Sequence, residues 1–104
     1  MDKNGLLNAA VRAAIEGGKA IREIYNNPNT DFGIEAKADN SPLTIADKSS
    51  HNKITSILKE TGQPILSEEG ESIPFETRKS WKSFWLVDPL DGTKEFIKRN
   101  DEFT

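Results

Sequence analysis

An apolar run that stops dead at an acid-proline pair constrains this chain most. Phe84-Trp85-Leu86-Val87 is continuously hydrophobic, as strands in a sheet interior are, and it ends at Asp88-Pro89-Leu90-Asp91-Gly92-Thr93. Proline fixes its own backbone angle and drives Asp88 into an extended conformation, so the two carboxylates, three positions apart, can face one side of a turn. Gly92 permits the tight backbone, and Thr93 can begin a short helix whose free amides and positive dipole end favour a bound phosphate. Hard cations such as magnesium take carboxylate and carbonyl oxygens plus water, and the Leu90 carbonyl between the acids offers one more donor. The same residues also read as a plain turn, because Asp-Gly is a common hairpin dipeptide and threonine an ordinary helix cap. A second acidic strand end moves the balance. Pro64-Ile65-Leu66 reads as a brief buried strand delivering Ser67-Glu68-Glu69-Gly70-Glu71. Glu68, Asp88 and Asp91 brought together would repel strongly unless a cation neutralised them.

Two other acidic motifs are excluded. A calcium-binding helix-loop-helix needs oxygen-bearing side chains at alternate positions and glycine at the sixth, where this stretch has Leu90, Gly92 and Thr93. The haloacid dehalogenase phosphatases place a nucleophilic aspartate two positions before the second acid of Asp-x-Asp-Gly-Thr, a position held here by Pro89. Covalent aspartyl-phosphate chemistry is therefore not expected.

The rest of the chain supplies a scaffold. Leu7, Val11, Ala14, Ile15, Ile21, Ile24 and Tyr25 recur at helical spacing from Leu6 to Tyr25, ending at Asn26-Asn27-Pro28, with Gly17 and Gly18 marking close approach of another element. Phe32 to Lys37 reads as a short strand followed by a turn over Ala38-Asp39-Asn40-Ser41-Pro42. A second helix is predicted from Thr44 to before Gly62, burying Ala46, Ile54, Ile57 and Leu58 and polar elsewhere. His51 falls on that polar part and is assigned no role, while Trp81, Trp85 and Phe96 read as core residues bracing the acidic loop. After the turn at Lys98-Arg99-Asn100, Asp101-Glu102-Phe103-Thr104 looks like the start of another strand, so residues 1–104 are expected to be the N-terminal part of a longer protein.

Interspersed charges, 14 basic against 17 acidic for a net of −3, argue against a nucleic-acid polymer as partner. There is no cysteine, hence no disulfide framework or thiolate metal site, and no apolar run approaches a membrane span. A cytoplasmic protein is the expectation, with peripheral association at an inner membrane left open.

Trp85-Leu86-Val87-Asp88-Pro89-Leu90-Asp91-Gly92-Thr93-Lys94-Glu95-Phe96 resembles the signature of the inositol monophosphatase superfamily. Leu66-Ser67-Glu68-Glu69 and Ser41-Pro42-Leu43-Thr44-Ile45-Ala46-Asp47 resemble its other two N-terminal motifs, in the same order. Lys94 after the threonine is similar to the bisphosphate nucleotidase (CysQ-type) branch. The resemblance implies a layered α/β sugar-phosphatase fold whose N-terminal portion packs two helices on a sheet. It implies Mg2+ held by Glu68, Asp88 and the Leu90 carbonyl, and a second ion held by Asp88 and Asp91. Thr93 and Glu68 would be catalytic, Thr93 orienting the attacking water. Asp47 would support water activation or a third ion, although an acid in a first helical turn needs no such role. Glu68, Leu90, Asp91, Gly92, Thr93 and Lys94 would meet a small phosphorylated nucleotide. The implied reaction is hydrolysis of 3'-phosphoadenosine 5'-phosphate to AMP and phosphate, in a sulfate-assimilation setting. Alternatives are an inositol or sugar-phosphate monophosphatase and a non-catalytic cation-binding fragment. The family completes its second metal site with an aspartate from a downstream Trp-Asp motif that these residues lack, so weak or no catalysis is expected of them alone.

Overall fold

The computed structural model describes residues 2–37 and 39–104. Helix α1 spans Lys3–Tyr25, beginning ahead of the predicted Leu6 because the Asp2 carboxylate accepts the Gly5 amide as an N-cap. Its buried face is the predicted one only toward the C-terminal end, where Ile21 is buried and Ile24 and Tyr25 pack against the core. Leu7, Val11 and Ile15 are 61%, 49% and 52% exposed, and the opposite face, Ala9, Ala13, Gly17 and Ala20 with Ile21, is buried. Size explains the choice: a Cβ on Gly17 would lie 2.8 Å from Ile54, so the neighbouring helix comes too close for bulky side chains. Gly18 meets nothing within 4 Å, so only the first of the two glycines marks a close approach.

Strand β1 (Glu35–Ala36) pairs antiparallel with β2 (Pro42–Leu43), a shorter hairpin than the predicted Phe32–Lys37 strand. Pro42 pairs instead of turning, and Ala38 of the expected turn lies outside the described residues. Helix α2 (Ile45–Leu58) continues through a 3-10 turn, Lys59–Thr61, and stops at Gly62 in the left-handed region, φ 73°. Strand β3 (Ile65–Ser67) is parallel to β4 (Trp85–Val87), with Ser67 opposite Val87. The connection between them, read as a loop, contains the one-turn helix α3 (Phe75–Arg78). Helix α4 (Thr93–Lys98) follows the acidic turn. The predicted strand at residues 101–104 does not form. Arg99 and Asp101 take positive φ, and Thr104 instead exchanges both backbone hydrogen bonds with Asp91, at 2.7 and 3.0 Å.

The mixed α/β arrangement matches the expected class, and it is carried by two apolar clusters. One joins Ile21, Phe32, Ala46, Leu90 and Phe96, with Tyr25 and Phe103 against it. The other joins Ala9, Ala13, Leu58 and Val87, flanked by Ile65 and Trp85, so the helix pair packs on the β3–β4 sheet as predicted. Trp81 belongs to neither cluster and packs on Phe84. The interior-strand reading of residues 84–87 holds for one face only: Val87 is buried, whereas Leu86 is 76% exposed. No described helix is long and apolar enough to cross a membrane.

Candidate functional site

Parallel pairing places the carboxyl ends of β3 and β4 at the same edge, and the register sets the residues that follow, Glu68 and Asp88, side by side. The Glu68 amide donates to the Val87 carbonyl at 2.9 Å, extending the ladder to the last residue before the turn. Glu68, Asp88, Leu90, Asp91, Gly92, Thr93 and Lys94, every site residue expected of the two acidic segments, line one cavity of about 310 Å³. Leu90 serves two ends. Its side chain is buried in the first cluster, and the Thr93 hydroxyl lies 3.4 Å from its carbonyl.

Asp88 carries the electrostatic signature of the site, its pKa pushed up to about 6. Burial is the largest cause, then the hydrogen bond and charge of Glu68 and the charge of Asp91, with the Leu90 amide pulling the other way. Among the described residues no three His, Cys, Asp or Glu side chains stand at a spacing that would hold an ion between them. Lys37, which the sequence reading passed over, lies between the acids, 2.5 Å from Glu69 and 3.5 Å from Glu68. The available donors are all oxygens, three carboxylates and a carbonyl, with no nitrogen or sulfur ligand, a set that fits a hard divalent cation in kind.

Asp47 sits in the first turn of α2, as the helix-cap reading expects, and also reaches the acidic turn. It closes a capping box on α2, its Oδ2 accepting the Thr44 amide at 2.8 Å and the Thr44 hydroxyl at 2.6 Å. Its Oδ1 accepts the Thr93 hydroxyl at 2.9 Å, which ties the cap to the acidic turn. Thr93 has one proton, and the longer approach to Leu90 leaves that carbonyl available.

Helix α2 is not simply polar outside its apolar positions. Thr44, Asp47 and Ser50, three apart on one face, are fully buried, and the Ser50 hydroxyl donates to the Pro89 carbonyl at 2.7 Å. That spacing of three small polar residues, opposite a glycine in α1, was the available signal for Ser50. His51 also turns inward: its Nδ1 is 2.7 Å from the Ser67 hydroxyl, fastening α2 to the end of β3.

A model of the inositol monophosphatase family matches residues 2–104. The 3'(2'),5'-bisphosphate nucleotidase CysQ of Escherichia coli (strain K12) is 45% identical over 101 residues, covering 95% of this chain and 40% of the relative. The CysQ of Haemophilus influenzae is 41% identical over 103 residues, covering 95% and 36%. The crystal structure of CysQ from Bacteroides thetaiotaomicron, described as a bacterial member of the same family, superposes with TM-score 0.78 at 55% identity over 92% of this chain and 34% of its own. The chain thus spans about two fifths of the length of these curated relatives.

Proposed function

The chain belongs to the inositol monophosphatase family, and from that premise we propose that it forms the cation-binding part of a phosphatase that hydrolyses 3'-phosphoadenosine 5'-phosphate to AMP and phosphate. The observation that carries this reading is the parallel register of β3 and β4, which sets Glu68 beside Asp88, with Thr93 and Asp91 on the same cavity. The nucleotide substrate class rests on the bisphosphate nucleotidases this chain resembles. The cytoplasmic, sulfate-assimilation setting belongs to the same proposal.

Glu68, Asp88, Asp91 and the Leu90 carbonyl would hold divalent cations, and the all-oxygen donor set favours Mg2+. Bound there, such ions supply a lowered pKa for a water and neutralisation of the phosphate and leaving oxygen. The chain's own groups do the rest. Thr93 Oγ, its proton held by Asp47 Oδ1, presents lone pairs to a water and can take its proton while passing its own to Asp47. The exposed Lys94 and the first amides of α4 meet the phosphate oxygens. Hydrolysis then proceeds by in-line displacement without a covalent intermediate.

The test is a comparison of phosphate release from 3'-phosphoadenosine 5'-phosphate and from inositol 1-phosphate by the whole protein during a Mg2+ titration. A Mg2+-dependent preference for the nucleotide is expected. Preference for the inositol phosphate would overturn the nucleotide assignment, and activity undiminished by a chelator would overturn the cation assignment.

A further inference from the structure

We propose that Ser50 is a positioning residue for the cation site, acting through the Pro89 carbonyl; this deepens the reading above and rests on it. Ser50 is fully buried, and its hydroxyl donates to Pro89 O at 2.7 Å across 39 residues of sequence. That carbonyl belongs to the peptide joining Pro89 to Leu90, between Asp88 and the Leu90 carbonyl. Turning this peptide over would carry its Leu90 amide away from the Asp88 carboxylate to which that amide donates. Proline fixes only its own φ, and nothing in the ring holds the ψ that orients its carbonyl. The Ser50 hydroxyl supplies that restraint from below, while the Leu90 side chain, anchored in the core, supplies it from the other end.

The helix pair is cut to admit this hydroxyl. A Cβ on Gly17 would lie 3.0 Å from Ser50 Oγ as well as 2.8 Å from Ile54, so the glycine in α1 leaves the space in which Ser50 stands. Helix packing, hydroxyl and turn form one continuous stack, from Gly17 through Ser50 to Pro89. Removing the hydroxyl frees the peptide without touching any ligand. The expected consequence is weaker cation binding, of the size seen when a hydrogen bond that orients ligands is lost, about tenfold or more.

Manganese(II) binding to the whole purified protein, read from the free-ion signal by electron paramagnetic resonance, tests this. Ser50→Ala should bind at least about tenfold more weakly than wild type, and Ser50→Cys, which keeps the volume but donates weakly, should fall between and decides the matter if the alanine variant does not fold. Leu58→Ala, a core truncation at the far end of α2, should lose stability and keep its affinity. Equal affinity in wild type and Ser50→Cys or Ser50→Ala, or an equal loss in Leu58→Ala, overturns the positioning role. Absence of binding by wild type, or binding unchanged by Asp88→Asn, overturns the cation reading itself and the Ser50 proposal with it.

Discussion

Two aspartates, one bonded to the acidic turn through Thr93 and one within that turn, are treated in opposite ways by the fold. Asp47, at the start of α2, is fully buried, and each of its oxygens is met by donors: Thr44 through amide and hydroxyl on one side, Thr93 through its hydroxyl on the other. Asp88, at the end of β4, has its pKa raised, first by partial burial of the carboxyl and then by its neighbours Glu68 and Asp91. A carboxylate surrounded by donors is part of what holds the chain together. One surrounded by other carboxylates is a cost to the fold that only a ligand relieves.

The largest expected effect is at Asp47. Truncation to alanine removes the capping box and leaves the buried Thr44 amide without an acceptor, costing about 2–4 kcal/mol of folding free energy by urea titration. Asp47→Asn sharpens the comparison. Its amide oxygen can still accept from Thr44, and its NH2 can donate to a Thr93 hydroxyl that rotates to accept, so stability should stay within about 1 kcal/mol of wild type. The proton acceptor for Thr93 is nevertheless gone, and phosphate release by the whole protein should collapse. An asparagine variant as unstable as alanine would show that the charge itself, not the hydrogen-bond pattern, holds Asp47 in place.

Between these extremes lies Glu69, whose side chain is 5% exposed and whose charge is met by Lys37. Burial works to lower the Lys37 pKa, but the hydrogen bond to Glu69 and the charges of Glu69, Glu68 and Asp47 outweigh it and raise it. Lys37→Gln strands the buried Glu69 and should cost about 2 kcal/mol, less than breaking a fully buried pair because the lysine still reaches water. Glu69→Gln should cost less, since Lys37 keeps Glu68 as a partner at 3.5 Å. Thermal unfolding of both variants checks the asymmetry; a larger loss from Glu69→Gln would reverse it.

Contiguity decided what could be read from the sequence. The acidic turn, the strand that feeds it and the Glu68 segment were legible because each motif carries its chemistry within a few residues, and the parallel register does the rest. Ser50 with Pro89, Lys37 with Glu69 and His51 with Ser67 were not, because their partners lie 39, 32 and 16 residues apart and each residue taken singly is an ordinary surface type. The face of the first turns of α1, up to Ile15, failed for a different reason. Hydropathy ranks leucine and valine above alanine and glycine, whereas a close helix crossing selects for size, so the small-residue face won. Asp47 was legible as a helix-capping acid but not in its tie to Thr93, since only the fold brings that hydroxyl to its far oxygen.

The smallest expected effect on folding is at Asp88, and its sign is the sharpest test of the comparison. In the metal-free chain its folded pKa of about 6 stands above the ordinary 3.8, so the folded state binds the proton more tightly than the unfolded one. Stability from this group therefore falls as pH rises from about 4 to about 6 and stays low above that. Asp88→Asn should abolish that slope and raise metal-free stability at pH 7.5, by no more than about 1 kcal/mol because solvent screens so exposed a group. Added Mg2+ should stabilise wild type above pH 6 and leave the variant unchanged, since the cation binds the folded carboxylate cluster in preference to the unfolded chain. Thermal melts at pH 5 and 7.5, with and without Mg2+, measure all of this. A variant less stable than wild type in metal-free buffer at pH 7.5 would mean that Asp88 is held by donors as Asp47 is, and the division of labour between the two aspartates would fail.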